Sequence, residues 1–600
     1  MSTTEADLRA LDVAWDLDPL VDGQGDAGVE VLLDDAARRV AALGRLRGTI
    51  AALDAGALAD AVRELAAVGE ILGRAGSYAG LRYTVDVTDP VRGALMARTE
   101  ERATEIGNDL LFFELEWAAL PDEHVTPLLA DDLLAFCRHH LASARRYRPH
   151  LLSEPEERLL ADKGVTGRNA WARLFSDLTS TVTVDLDGTV ISLEEGLSRL
   201  QSPDRSVRQV AAGAVTAGLA PGLRTRAFVF NTLLADKASD DRLRSFPSWI
   251  TSRNLDNEAS DSSVQALVDA VVARYDIPQR WYRLKAQLLG LPRLADYDRM
   301  ASVASSEDEF GWSAARDLVL DAYASFSPEL ADAGRRFFDE SWIDAPVRPG
   351  KRPGAFCAYT VPSHHPYLLL NWTSRRRDVL TLAHELGHGL HAYLARDQVV
   401  FQQSTPLTLA ETASVFGETV TFGRLLEQTT DPAARLALLA ESLEGQIATV
   451  FRQIAMNRFE DAVHTERRNV GELSVDRFDE LWASTQAQML GDAVEITEGY
   501  RTWWSYIPHF MATPGYVYAY AYGQLLALSV YKRYEEEGEA FVPAYLELLR
   551  RGGSDTPEAL GAVVGVDLGD PGFWTGGLAI VEAQLEAAEQ AARDLGRLGG

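Results

Sequence analysis

Along most of the chain, apolar residues recur at three- and four-residue spacing, the period of one helix face. Asp54 to Leu72 and Ser263 to Leu289 are clear examples, rich in Ala, Leu and Arg. The pattern predicts a mainly α protein. No fixed-period repeat emerges, which disfavours a regular solenoid. A last amphipathic helix is expected over Val581 to Leu595, with Gly599-Gly600 fraying beyond it. Strand signals are confined to two places. Thr181 to Ile191 alternates around Asp187-Gly188, a hairpin signature near 181-191. Ala355 to Thr360 and Tyr367 to Trp372, joined by a loop containing Pro and His, predict a second small hairpin or sheet edge. Ser202-Pro203 is a turn signal that opens a new helical pattern.

At 600 residues the chain exceeds what one core usually supports, so two or more structural units are expected. Hydrophobic residues make up 46% and charged residues 24%, as in ordinary globular proteins. The formal net charge of -30 argues against nucleic acid and against anionic membranes. It reads as a solubility feature, or as a field that favours cationic peptides. No apolar run approaches the roughly 18 residues of a membrane span. The N-terminal residues lack a basic segment followed by an apolar one, so no signal peptide is expected. Two distant cysteines, Cys137 and Cys357, make no disulfide framework and fit a reducing compartment. The expected location is cytoplasmic, where the Asn371-Trp372-Thr373 glycosylation pattern meets no glycosylation machinery. The sequence leaves the oligomeric state open.

Candidate chemistry centres on His384-Glu385-Leu386-Gly387-His388. The preceding pattern predicts a helix that starts near Asp378, whose carboxylate can cap free amides. Positions four apart share a helix face, so both histidines can point at one ion, and zinc suits such ligands. Glu385 lies about 100° around the helix from His384. It can reach water at the ion without ligating the ion, the placement of a metalloprotease base. Gly387 and Gly389 are poor helix residues and suggest close backbone packing or room for a substrate. His391 is two turns from His384, too far to share its metal. It is either a hydrogen-bonding support behind the ligands or a packed or exposed histidine. Position 394 is leucine, which excludes the longer three-histidine motif. The third ligand must come from elsewhere. Glu411 is the candidate, inside a helix that Thr405-Pro406 would start and among apolar neighbours where a carboxylate needs a partner. Glu418, seven residues on, could orient a ligand histidine.

These residues resemble a known family. Asp378 to His388, Ala410-Glu411-Thr412-Ala413-Ser414, and Pro508-His509-Phe510 with Tyr516 to Tyr520 are similar to the M3 zinc metallopeptidases, thimet-oligopeptidase-like, in the oligoendopeptidase F branch. Weaker similarity runs through Pro366 to Asn371, Ser245 to Trp249, Glu154 to Glu157 and Trp171. The resemblance implies a multi-helical ellipsoid with a deep central substrate channel that admits short peptides and excludes folded proteins. A small β-sheet would lie next to the metal-motif helix. It implies one Zn2+ per chain held by His384, His388 and Glu411, with Glu385 as base. It divides the chain into an N-terminal helical region over 1-110 that no motif places, an oligopeptidase F-like helical domain over 111-201, and a catalytic domain over 202-600.

The oxyanion of peptide hydrolysis needs donors, and a histidine or tyrosine hydroxyl can supply them. Pro514-Gly515 could open a helix that puts Tyr516 and Tyr520 on one face and Tyr518 and Tyr522 on roughly the opposite one. His509, Tyr516 and Tyr520 are the expected donors, and the other pair packs. Backbone at Gly354, Phe356 and Ala358 is expected to hold substrate as an added strand. His364-His365 falls in the loop between the strands, as a substrate contact or a surface pair. His139-His140 reads as helix. The leading expectation is an endopeptidase acting on short peptides. The alternatives are a carboxypeptidase or dipeptidyl carboxypeptidase, which needs a cation for the substrate C-terminus that the sequence does not single out, and a peptide-binding scaffold without turnover.

Overall fold

The computed structural model describes residues 4–303 and 309–598. Gly599-Gly600, expected to fray, lies outside them. The chain forms two compact units, each assembled from three separate segments. The first contains Met1–Arg148, Glu307–Leu425 and Val530–Asp567. The second contains Pro149–Ser306, Leu426–Ser529 and Leu568–Gly600. Both are mainly α, as the apolar spacing predicts.

In the first unit, the periodic pattern from Asp54 becomes a 31-residue helix, Ala55–Val85. The Asp54 side chain caps it by accepting the Ala57 amide at 2.8 Å. Its buried face joins a cluster around Phe112, Phe113 and Trp117. His139 and His140 fall on the Arg138–Arg145 helix. A three-stranded sheet has Tyr367–Trp372 at its centre. Ile343–Pro346 pairs with it in parallel, and Phe356–Ala358 pairs antiparallel on the other side. Periodicity did not reveal the Ile343–Pro346 strand, because its four residues are all buried and show no alternation. The central strand is likewise buried on both faces, with Tyr367, Leu368 and Leu369 at 0% exposure. Phe356–Ala358 and Ile343–Pro346 are the two edge strands. The Arg376–Leu394 helix packs against this sheet.

In the second unit, Thr183–Leu186 and Thr189–Ser192 form the expected hairpin. Asp187 and Gly188 both take positive φ, 52° and 86°, as its two-residue turn requires. The Ser263 to Leu289 pattern resolves into two helices, Asp261–Ala273 and Asp276–Leu288. Pro278 explains the break, since proline is tolerated in the first turn of the second helix and not inside a continuous one. Phe230 anchors the core, stacked with Phe478, Trp504 and Phe510. Between the Pro432–Gln446 and Gln453–Val470 helices runs a π-helical turn, Ile447–Arg452. Such turns insert a residue into the helical ladder and are common at functional sites.

Candidate metal centre

The Arg376–Leu394 helix begins two residues before Asp378. Asp378 still caps it, accepting the amides of Thr373 at 2.7 Å and Arg375 at 3.1 Å. The first turn therefore places His384 and His388 on one face, with ring centroids 5.0 Å apart. A second helix, Leu407–Gln428, starts just after Pro406 and carries Glu411. The two helices approach closely at Gly387. A Cβ there would stand 2.4 Å from the Ala413 carbonyl oxygen and 2.6 Å from the Ser414 Cα. Gly389 similarly leaves room for the Phe337 ring, 2.6 Å from where its Cβ would be. The Tyr323 hydroxyl donates to the Ala383 carbonyl at 3.0 Å and lies where any side chain at Gly417 would go.

His384, His388 and Glu411 can each offer one ligand atom with all of them within 4.8 Å of one another. Glu411 Oε2 is 3.4 Å from His384 Nε2 and 3.6 Å from His388 Nε2. Tetrahedral ligands about 2.0–2.1 Å from an ion stand about 3.4 Å apart, so this donor set fits a zinc-sized cation. Two nitrogens and one carboxylate oxygen also match the ligand chemistry of a catalytic zinc with an open position. Supporting contacts come from the same helix as Glu411. Glu418 Oε2 accepts from His384 Nδ1 at 3.2 Å, which leaves Nε2 facing Glu411. Ser414 Oγ donates to Glu411 Oε2 at 2.7 Å.

Burial alone would depress His384. The Glu418 bond and the charges of Glu411, Glu418 and Glu385 outweigh it and push its pKa up to about 9. Burial dominates at His388, which falls to about 4. Burial raises Glu411, but the His388 and His384 rings and the Ser414 hydroxyl together bring it below the ordinary carboxylate range. Glu385 is 8% exposed, and burial raises its pKa to about 7 against the pull of His384. The backbone amide of Cys357 also reaches its carboxylate.

His391 makes no hydrogen bond to these residues. It is 1% exposed, and among the described residues neither ring nitrogen meets a hydrogen-bond partner. Burial, with His388 beside it, lowers its pKa to about 3 and keeps the ring neutral. Of the three edge positions, Gly354 takes positive φ (85°), and its carbonyl accepts from Asn371 Nδ2 at 2.7 Å. Phe356 and Ala358 pair in register with Leu369 and Tyr367. The amide that reaches the site is that of Cys357, between them. His365 stacks on Trp342 at 4.0 Å, and His364 Nε2 meets the Pro19 carbonyl at 3.1 Å. Sequence reasoning missed Tyr359, whose ring is 6.5 Å from that of His388. Burial, then Cys357, Glu411 and Glu385, hold its hydroxyl protonated. Alternation along the strand puts Tyr359 on the side of Cys357, but only the packing of that strand against the Arg376–Leu394 helix turns this side toward the site.

His509, Tyr516 and Tyr520 lie in the second unit and meet one another. His509 Nε2 is 3.3 Å from the Tyr520 hydroxyl, and the Tyr516 and Tyr520 rings are 5.1 Å apart at 79°. The helix there starts at Tyr518 rather than at Pro514-Gly515. Gly515 has φ of 74°, a turn conformation that holds Tyr516 outside the helix. Tyr518 and Tyr522 pack as expected, both at 0% exposure. Their hydroxyls bond Asn257 Nδ2 and Ser263 Oγ, each at 2.9 Å.

The model of peptidase family M3 matches residues 198–579, and the oligopeptidase F model matches residues 116–183. Oligopeptidase PepF of Bacillus subtilis (strain 168) is 26% identical over 532 residues, 87% of this chain and 79% of that protein. Among solved structures, a protein from Chlamydophila abortus superposes with a TM-score of 0.84 at 22% identity, covering 96% of this chain and 98% of that one. Oligoendopeptidase-F from Enterococcus faecium gives 0.69 at 22% identity, over 94% of this chain and 99% of that one. These solved structures share the fold. With the matched family model covering more than half of the sequence, the chain belongs to peptidase family M3.

Proposed function

We propose that this M3 peptidase is a zinc-dependent endopeptidase of short peptides, with the ion held by His384, His388 and Glu411. The observation that carries this reading is the convergence of those three ligand atoms beside a buried Glu385. When bound, zinc supplies Lewis acidity toward the scissile carbonyl and the attacking water. Glu385 takes the proton from that water and delivers it to the leaving amine. The Cys357 amide holds the Glu385 carboxylate in place. Glu418 and Ser414 orient His384 and Glu411. The open edge at Phe356–Ala358 holds the peptide by backbone pairing, which suits broad sequence tolerance. His509, Tyr516 and Tyr520 donate to the substrate carbonyl, a role supported by their mutual contacts and their polar tips. Work in the cytoplasm is supported by the free thiols of Cys137 and Cys357. Among the described residues no helix is long and apolar enough to cross a membrane.

Glu385→Gln tests the mechanism. The variant is expected to bind one zinc per chain while losing about 10²–10⁴-fold in kcat, the usual contribution of a general base. Zinc content and hydrolysis of a mixed peptide library are measured together. Retained hydrolysis in the variant overturns the role of Glu385. Hydrolysis by the native chain that survives complete chelation overturns the metal reading.

A further inference from the structure

A second cluster of charge lies wholly within the second unit and has no part in the mechanism above. Three cations gather there: Lys285, Arg299 and Arg452. Lys285 is fully buried, and its charge is answered, because Nζ donates to Glu444 at 2.6 Å and to the Arg299 carbonyl at 2.6 Å. The two arginines are different. Among the described residues, neither guanidinium forms an ion pair with a carboxylate. Arg299 donates from Nε to the backbone carbonyl of Asp296 at 3.0 Å, and its guanidinium lies over the Tyr500 ring, 4.8 Å from the centroid. The Asp296 carboxylate is near enough to act on Arg299, but it accepts the Thr497 amide at 2.5 Å. Arg452 ends the π-helical turn, and its Nε is buried with no hydrogen-bond partner.

The chain has 88 acidic residues against 58 lysines and arginines, and several of its arginines pair with them, although the buried Arg226 does not. Arg205 and Arg208 share Asp298, and Arg280 pairs with Glu582 and Glu589. Arg299 has the Tyr500 hydroxyl and the charge of Asp296 near it, and Arg452 has the Tyr506 hydroxyl, but among the described residues neither guanidinium holds a carboxylate, so each keeps donors that an arriving anion can take up. The remaining wall is phenolic. Tyr282 and Tyr500 are 7% and 2% exposed, Tyr506 is half-buried, and the Tyr506 hydroxyl bonds Arg452. Burial pushes the Tyr282 and Tyr506 hydroxyls up, so they stay protonated and able to donate. Guanidinium forks and phenol donors without a free acceptor fit a carboxylate, which accepts at two oxygens.

We propose that Arg299, Arg452 and the Tyr506 hydroxyl form a binding pocket for a peptide carboxylate, either a free C-terminus or an acidic side chain. The identity of the anion rests on the peptidase reading, since peptides supply carboxylates. The step is binding only, with no bond made or broken.

Four versions of one internally quenched peptide test this: free acid or amide at the C-terminus, each with Glu or Gln near it. The native chain is expected to show a KM roughly tenfold lower for the version carrying the recognised carboxylate, the worth of one charge-assisted contact. An acid-to-amide preference identifies the C-terminus, and a Glu-to-Gln preference identifies a side chain. In Arg452→Gln that ratio is expected to collapse to about one. Arg299→Gln gives a second reading should the first variant fold poorly. Equal ratios in the native chain and in both variants overturn the pocket. Failure of the peptidase reading looks different, because none of the four peptides is cut by the metal-loaded chain. Binding of the intact acid and amide peptides, followed by fluorescence anisotropy, then reads the pocket on its own.

Discussion

His384 can present either ring nitrogen to an ion, and Glu418 settles which. A carboxylate only accepts, so the 3.2 Å contact puts the proton on Nδ1 and frees Nε2 for the metal. Glu418→Ala is expected to weaken metal binding about 10–100-fold, the usual cost of losing such a support. Competition against a chromogenic chelator measures it, and an unchanged affinity would show that packing alone orients the ring. Ser414 plays the same part for Glu411 through its 2.7 Å bond. The three proposed ligands, whose ligand atoms the structure brings within 4.8 Å of one another, were legible in the sequence, because His384 and His388 sit four apart on a helix and Glu411 is a carboxylate stranded among apolar neighbours. Tyr359 and the Cys357 amide were not. Their approach to the site depends on how the Phe356–Ala358 strand lies against the Arg376–Leu394 helix, and no spacing along the chain encodes that. A helix opened by Pro514-Gly515 would carry Tyr516 one turn before Tyr520. The left-handed turn at Gly515 holds it outside, yet the two rings still meet.

The pair of helices that builds the centre depends on backbone contact. Gly387 carries no side chain where one would collide with Ala413 and Ser414, whose helix bears Glu411. Gly387→Ala is expected to cost about 1–3 kcal/mol by forcing the helices apart, and to weaken metal binding with it. Gly80 provides the contrast, since it lies inside the Ala55–Val85 helix and nothing stands within 4 Å of its Cβ position. Gly80→Ala is expected to stabilise by about 0.4–1 kcal/mol through helix propensity and a less flexible unfolded chain. Urea denaturation of both variants checks the opposite signs, and a shared sign would refute the packing account. The composition alone makes both glycines look like helix defects. Only the neighbouring helix distinguishes them. Sheet elements show the same limit. The hairpin near 181-191 announces itself by alternation and its Asp-Gly turn, whereas Ile343–Pro346 is buried throughout and joins its sheet by a parallel pairing distant in sequence.

Across the molecule, the acidic sequence hides carboxyls that fold uncharged. Glu460 is 0% exposed, and burial raises its pKa to about 8 even though it accepts the Gly515 amide at 2.9 Å. In the unfolded chain such a group loses its proton near its ordinary value, about 4.3. Between those values the folded state holds one proton more than the unfolded state, so stability falls as pH rises and levels off above the folded value. Glu460→Gln is expected to flatten this part of the profile. Unfolding free energies at pH 5, 6, 7 and 8 check it, and identical slopes in the variant and the native chain would assign the slope to other groups. Neither this carboxyl nor the interleaved segments of the two units could be read from the sequence, since burial and segment pairing are properties of the whole chain. The Phe356–Ala358 edge has one more consequence at this scale. A sheet edge without a neighbour invites strands from other copies of the chain, the usual start of sheet-mediated aggregation. Here the edge is three residues long, and the Arg352 guanidinium lies 5.2 Å from the Phe356 ring beside it. Backbone pairing over so short a ladder is weak by itself: a substrate would add its contacts at the metal centre, whereas a strand from another copy of the chain has only the ladder, with a charge at one end, so the molecule can keep this edge open without polymerising through it.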